Sequence, residues 1–185
     1  PLSYGAVRTP TAQWTATAAG CTILGAHGPG PYLTHITTGK IVDKGITDPN
    51  NMGAAMAPAA ASTLLHYFAD THTEPQEFDC IYTGDLGQVG SSLLRELLAA
   101  EGLLVKNHVD CGCILFDAAE QQVKSGGSGP GCCAAVLCGH ILPRLLRRSQ
   151  KRVLFVATGA LMSQTTFLQK ESIPAVAHLV ELRAP

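Results

Sequence analysis

The chain has 185 residues and a formal net charge of −1, a length that suits one domain and a charge that gives no global basic field for nucleic acid. Hydrophobic residues make up 46% and charged residues 15%, so much of the surface is expected to be covered by other protein. No uninterrupted apolar run is long enough to span a bilayer, and the opening PLSYG is not a basic segment followed by an apolar one, so neither a transmembrane span nor a signal peptide is expected.

Small and β-branched residues over Ala12–Leu24 read as a first strand, the Gly- and Pro-punctuated stretch 25–31 as a turn, and Tyr32–Val42 as a second strand. The DPNN stop at 48–51 offers Asn50 or Asn51 as the cap of a helix running from about Met52 to Ala69. Six alanines between Ala54 and Ala61 make this a helix crowded between layers, and Pro58 should kink it or mark a late start. Phe78–Thr83 reads as a short strand, GDLGQVG at 84–90 as a turn, and Ser91–Ala100 as an amphipathic helix with Leu93, Leu94, Leu97 and Leu98 on one side.

Cys113–Phe116 is a short apolar run, Asp117–Val123 one or two helical turns, and Gly126–Gly131 a loop. Cys132–Arg148 reads as helix, broken in pattern by Pro143 and ending on Arg144, Arg147 and Arg148, which suit the negative end of its dipole. Arg152–Ala157 and Ala175–Leu182 are strands. Strands alternating with helices predict an α/β domain with a mixed five-stranded sheet and helices on both faces. The early strands and the last one are expected to pair antiparallel.

The seven cysteines are odd in number, and several sit inside apolar patterns, as expected of small hydrophobes in a reducing compartment. Neither DCGC at 110–113 nor the Cys132–Cys133 pair has the spacing of a common zinc module, and the seven histidines, His27, His35, His66, His72, His108, His140 and His178, do not pair at metal spacing. No metal site and no cofactor are expected.

Three readings stand for GGSGPGCC at 126–133. Backbone N–H groups around Gly127 and Gly129, with the Ser128 hydroxyl, can receive an anion. The same loop can instead allow only tight packing, or it can present Cys132 or Cys133 as a thiolate, for which no base is visible. Asp85 and Gln88 lie just beyond the carboxyl end of a strand, the edge where open α/β sheets bind ligands, and either orient a ligand or form a local turn. Thr158 and Gly159 follow the Arg152–Ala157 strand in the same way.

RTPTAQWTATAAG at Arg8, DPNNMGAAMAPAAASTL at Asp48, YTGDLGQVG at Tyr82, SGGSGPGCCAAV at Ser125 and VLFVATGALMSQTTFLQKESIPAVAHLVEL at Val153 together resemble the C-terminal part of the stage V sporulation protein AD family. The resemblance covers nearly the whole chain. It implies a single domain over 1–185 that forms the second half of a thiolase-like fold, with residues 1–45 as strands bridging to a first half that precedes Pro1. The chain, which does not begin with methionine, is then a fragment or a processed product.

The resemblance further implies a non-catalytic protein that binds dipicolinic acid, as the free acid or its calcium salt, and supports its uptake into the developing spore. Its site would hold Gly127, Ser128, Gly129, Asp85, Gln88 and Thr158. Its partners would be the other stage V sporulation A proteins at the spore membrane and a first half or a second copy. Its place would be the cytoplasm or the face of the inner spore membrane. Compared with thiolases and ketoacyl synthases, the Gly-rich segment lacks a histidine, GDLG replaces a His- or Asn-bearing loop, and VATGAL lacks a cysteine. No catalytic residue is therefore expected. The alternatives are an acyltransferase whose nucleophile lies in the first half, and an assembly module with no small-molecule ligand.

Overall fold

A computed structural model describes residues 8–185; the PLSYG opening lies outside the described residues. The elements in chain order are β1 (Trp14–Thr15), β2 (Tyr32–Thr37), α1 (Met52–Thr71), β3 (Cys80–Thr83), α2 (Gly87–Ala100), β4 (His108–Asp110), α3 (Cys111–Leu115), β5 (Gly127–Ser128), α4 (Pro130–Val136), α5 (Leu142–Leu146), β6 (Arg152–Ala160), α6 (Gln164–Leu168) and β7 (Ala175–Arg183). The main sheet has the order β2-β7-β6-β3-β4, with β6, β3 and β4 parallel and β2 and β7 antiparallel to their neighbours. The fold is α/β with a mixed five-stranded sheet, as the alternation of elements predicts. No described helix is long and apolar enough to cross a membrane.

Period-two alternation explains the layers. In β3 and β6, Ile81, Leu154 and Val156 turn to one face, where α1 and α2 bring Leu64, Tyr67, Leu94 and Leu98. Cys80, Tyr82, Val153 and Phe155 turn to the other, where α4 and α5 bring Cys132, Val136 and Leu145. A strand buried on both faces reads as a continuous apolar run, which is why RVLFVA is legible as a strand.

Several boundaries differ from those predicted. Only Trp14–Thr15 of the stretch 12–24 is strand, and it pairs parallel with β5 in a separate two-stranded sheet. Beyond it, the backbone at Ala18 runs so close to Gly131, at the start of α4, that a side chain there would collide with the Ala18 carbonyl. Small residues here serve contact with a helix rather than a sheet ladder. α1 begins at Met52, capped by Asn51 Oδ1 accepting from the Ala54 N–H at 3.3 Å, and continues through Pro58. Leu94 and Leu98 are buried as expected, but Leu97 is 38% exposed.

The long helix predicted over Cys132–Arg148 is α4 and α5 joined by a π-helical turn, Leu137–Ile141, in which the Leu142 N–H reaches back five residues to the Leu137 carbonyl. Pro143, next in line, has no N–H to give, and the wider turn absorbs that loss without ending the helix. β4 escaped prediction because three residues, between Asn107 and Cys111, carry no periodic signal.

Glu181 is fully buried on β7, on the face covered by α1. The Tyr67 hydroxyl donates to its Oε2 at 2.5 Å, Arg152 Nε and Arg183 Nε donate to Oε1 at 2.8 and 2.6 Å, and His35 Nδ1 lies 2.9 Å from Oε2. Burial works to raise its pKa, but the hydrogen bonds from Arg152, Tyr67 and Arg183 outweigh it and hold the carboxyl at about 2. A folded pKa below the unfolded one makes this contribution complete above about pH 4.5 and lost as pH falls toward 2. Glu181→Ala should cost about 3 kcal/mol in urea unfolding at pH 7, because it strands buried donors and two arginines. The gap between parent and variant should close as the pH of the unfolding series is lowered from 5 to about 2.

Candidate functional site

Parallel pairing of β3 with β6 sets Thr83 beside Val156 and carries the two chains out of the sheet side by side. Gly84 follows, and a side chain on it would press against Thr158, 2.5 Å from Oγ1 and 3.0 Å from N. The bare backbone lets Asp85 reach across. Thr158 Oγ1 accepts from the Asp85 N–H at 3.1 Å and donates to Asp85 Oδ1 at 2.9 Å. The Gly129 N–H donates to Asp85 Oδ2 at 2.8 Å. Gly129 has φ +91°, a conformation that favours glycine, and this turns its N–H toward the carboxylate.

Gln13 closes the arrangement. Its Nε2 donates to the carbonyls of Asp85 and Gly127, both at 2.8 Å, so one side chain joins the β1 segment, the turn after β3 and β5. These pieces wall a cavity of about 430 Å³ whose lining includes Gln13, Met52, Asp85, Ser128, Cys133 and Thr158. Among the described residues, no lysine, arginine or histidine contributes to that wall, and Asp85 is its one carboxylate. Burial raises the Asp85 pKa, opposed by the Gly129 N–H and the Thr158 hydroxyl.

Four of the six residues predicted for the site, Asp85, Ser128, Gly129 and Thr158, therefore share one cavity. Gln88 does not: α2 begins at Gly87, so Gln88 stands in the first helical turn with its side chain exposed and its N–H on the Ser125 carbonyl at 2.8 Å. Gly127 is buried against Phe116 and Cys132 and meets the site only through its carbonyl. Thr158 lies within β6, which extends three residues past the predicted end. The anion predicted for the Gly129 N–H is the chain's own Asp85 carboxylate.

Asp110 is the residue that sequence reasoning missed. It is 2% exposed and accepts from the Thr83 hydroxyl at 2.7 Å, the N–H groups of Leu86 and Gly87 at 2.9 Å each, and that of Gly112 at 3.0 Å. It thereby caps both α2 and α3 and fixes the turn that carries Asp85. Burial pushes its pKa up to about 6 against the pull of those donors. His108 Nε2 lies 2.8 Å from Thr83 Oγ1, and burial, helped by the Arg95 charge, holds that imidazole down to about 4. The signal was present in DCGC, where the aspartate before a small-residue turn is a helix cap and the cysteines are core.

The same geometry disfavours a thiolate at Cys132 or Cys133. Burial, then the negative charge of Asp85, pushes the Cys132 thiol up to about 12, and the same two causes lead the rise at Cys133. The end of α4 that would stabilise a thiolate already faces a carboxylate. His140 packs edge-on against Tyr82, with ring centroids 6.2 Å apart, and does not line the cavity.

The family model described as stage V sporulation protein AD matches residues 1–183. The stage V sporulation protein AD of Bacillus subtilis strain 168 is 42% identical over 179 residues, covering 96% of this chain and 53% of that protein. The chain thus spans about half the length of the curated relative it matches. Among solved structures, 3-oxoacyl-[acyl-carrier-protein] synthase III from Aquifex aeolicus VF5 overlaps 85% of this chain and 54% of its own, with a TM-score of 0.35 and 11% identity.

Asp85→Ala should lower stability by about 1–3 kcal/mol in denaturant unfolding, since it leaves the Gly129 N–H and the Thr158 hydroxyl without their acceptor. Asp85→Asn should cost less, because an amide oxygen can take the Gly129 N–H while its NH₂ group donates to Thr158. Alkylation with iodoacetamide near pH 7.5, followed by peptide mass spectrometry, should modify the exposed Cys21 ahead of Cys132 and Cys133.

Proposed function

The chain belongs to the stage V sporulation protein AD family, and on that premise we propose that it forms the second half of a thiolase-like, non-catalytic binding protein. Its ligand is dipicolinate carried as the calcium complex, and its task is to support uptake of that ligand into the developing spore, beside other stage V sporulation A proteins at the spore membrane. The observation that carries the reading is the charge of the cavity: one half-buried carboxylate, Asp85, and, among the described residues, no cation. A free dicarboxylate entering such a site would meet repulsion from Asp85 in a medium of low dielectric. Calcium chelated by the ligand cancels most of that charge and gives Asp85 a favourable partner, because calcium takes oxygen ligands and its sphere accepts one more carboxylate.

The calcium would come with the ligand as cargo. Among the described residues no group of three or more His, Cys, Asp or Glu side chains is placed to hold a metal ion, so the chain offers a single carboxylate rather than a cage. The non-catalytic part of the reading rests on the thiols, which sit next to Asp85 and stay protonated at neutral pH, and on the lack of a histidine in the cavity wall.

Calorimetric titration of the intact protein with dipicolinate, with and without calcium, tests this. Binding should be markedly tighter with calcium, and Asp85→Asn should erase most of the difference. Gly159 lines the cavity, and a side chain there would meet nothing nearer than the Val176 carbonyl at 4.0 Å, so Gly159→Val adds bulk to the cavity without straining the strand. It should weaken calcium dipicolinate by about tenfold while the thermal midpoint holds. Unchanged affinity in folded Gly159→Val would remove the cavity as the site, and no titration at all in the intact protein would leave an assembly role.

A further inference from the structure

At the opposite end of the sheet from the cavity, we infer a second site, a surface cleft that takes a phosphoryl group. The cleft has a volume of about 320 Å³ and is lined by Arg148, Lys151, Arg152, Arg183, Ala184 and Pro185, which among the described residues give four cationic side chains and no acidic one. Arg152 opens β6 and Thr158 stands near its end, so the cleft lies roughly 20 Å from the Asp85 cavity along the strand. Six of the thirteen lysines and arginines gather at this edge, because Arg144 and Arg147 add exposed cations from the last turn of the helix. In a chain of net charge −1, that is a strong segregation of charge.

The cations are arranged rather than merely numerous. Arg152 and Arg183 are direct cross-strand partners on β6 and β7, a placement that like charges disfavour. Glu181 lies buried beneath them and anchors each through Nε. Arg152 is fully committed: Nη2 also turns to Glu181, Nη1 donates to Glu77 at 3.1 Å, and its Cζ lies 4.2 Å from the centre of the Phe78 ring. Arg183 uses only Nε, which leaves both Nη groups facing outward with no partner among the described residues. Asp79 spends its carboxylate on the backbone N–H groups of Lys151 and Arg152, and among the described residues neither the Lys151 ammonium nor Arg148 has an acid partner.

Arg148 can be replaced by glycine without backbone strain. It ends α5 in the left-handed conformation, with φ +55°, its N–H on the Leu145 carbonyl and that of Ser149 on the Arg144 carbonyl. Glycine fills this helix-ending position at the lowest cost. His72, Gln122 and Lys170 share this conformation, and at position 148 it sets a cation on the lining of the cleft.

A guanidinium fork fixed from behind, a mobile ammonium and a second guanidinium match the three acceptor oxygens of a phosphoryl group. Among the described residues, Ala184 and Pro185 supply the apolar lining of the cleft. The phosphoryl can belong to a soluble phosphate ester or to an anionic lipid headgroup.

Titration of the intact protein with inorganic pyrophosphate at low salt should show saturable binding that about 0.5 M salt abolishes. Arg148→Gly should weaken it about tenfold while the thermal midpoint stays level or rises, since glycine prefers that backbone conformation. Lys151→Gln should weaken it similarly, and Lys124→Gln, at a distant surface position, should leave it unchanged. Flotation on vesicles of phosphatidylglycerol with phosphatidylcholine, but not on phosphatidylcholine alone, that pyrophosphate reverses would identify the headgroup as the source. Pyrophosphate binding without flotation would identify a soluble phosphate. Absence of saturable pyrophosphate binding, binding that survives both substitutions, or flotation that pyrophosphate does not reverse would overturn the site. Calcium dipicolinate binding at the Asp85 cavity is unaffected by either substitution, so the two sites fail or stand separately.

Discussion

One carboxylate, that of Asp85, ties together segments far apart in the chain. Its oxygens take a hydroxyl from β6 and an N–H from the loop before α4, its own N–H returns to the same threonine, and its carbonyl accepts from Gln13. Because each partner comes from a different stretch of sequence, the cavity is formed in advance and needs no ligand to assemble it. The arrangement also sets the sign of the site. A helix end that would attract an anion is already neutralised, and what remains facing the cavity is a half-buried acid with no cation beside it among the described residues.

Asp85 is held in turn by Asp110, whose four donors include both N–H groups at the start of α2. The two aspartates divide the work. Asp110 is closed in by protein and fixes the backbone of the turn, while Asp85 lies between that backbone and the open cavity. Their proximity raises the Asp110 pKa further, since two like charges in a poorly solvated region oppose each other's ionisation. The Cys132 and Cys133 thiols feel the Asp85 charge as well, which adds to burial in raising their pKa values.

The sheet separates two electrostatic regimes along its length. At the carboxyl ends of β3 and β6 the groups are neutral or acidic and mostly shielded from water. At the opposite end, Glu181 collects two arginines, a tyrosine and a histidine around a fully buried carboxylate, and further cations lie exposed around it. Replacing such a buried cluster with apolar residues is often neutral for stability, so its value lies as much in fixing the positions of Arg152 and Arg183 as in any net gain.

What the sequence determined by itself was the set of elements with strong local signals. Apolar runs such as RVLFVA, the alanine-rich helix with its Asn51 cap, and the leucines of α2 report burial and periodicity that neighbouring residues encode directly. It also placed Asp85, Ser128, Gly129 and Thr158 as candidates, since residues following parallel strands collect at one edge of the sheet. Tertiary structure alone decided how these residues meet. Gln88 looked equivalent to Asp85 in the turn, but α2 starts one residue before it and aims it at solvent. Gln13 carried no motif, because its partners are backbone carbonyls brought close by folding, and a carbonyl has no identity in sequence; Asp110 showed only as a local cap in DCGC, and folding alone set Thr83 and the start of α2 on it. The Gly-rich loop advertised an open anion cradle, and only the folded chain could show that the anion was one of its own side chains, 44 residues away.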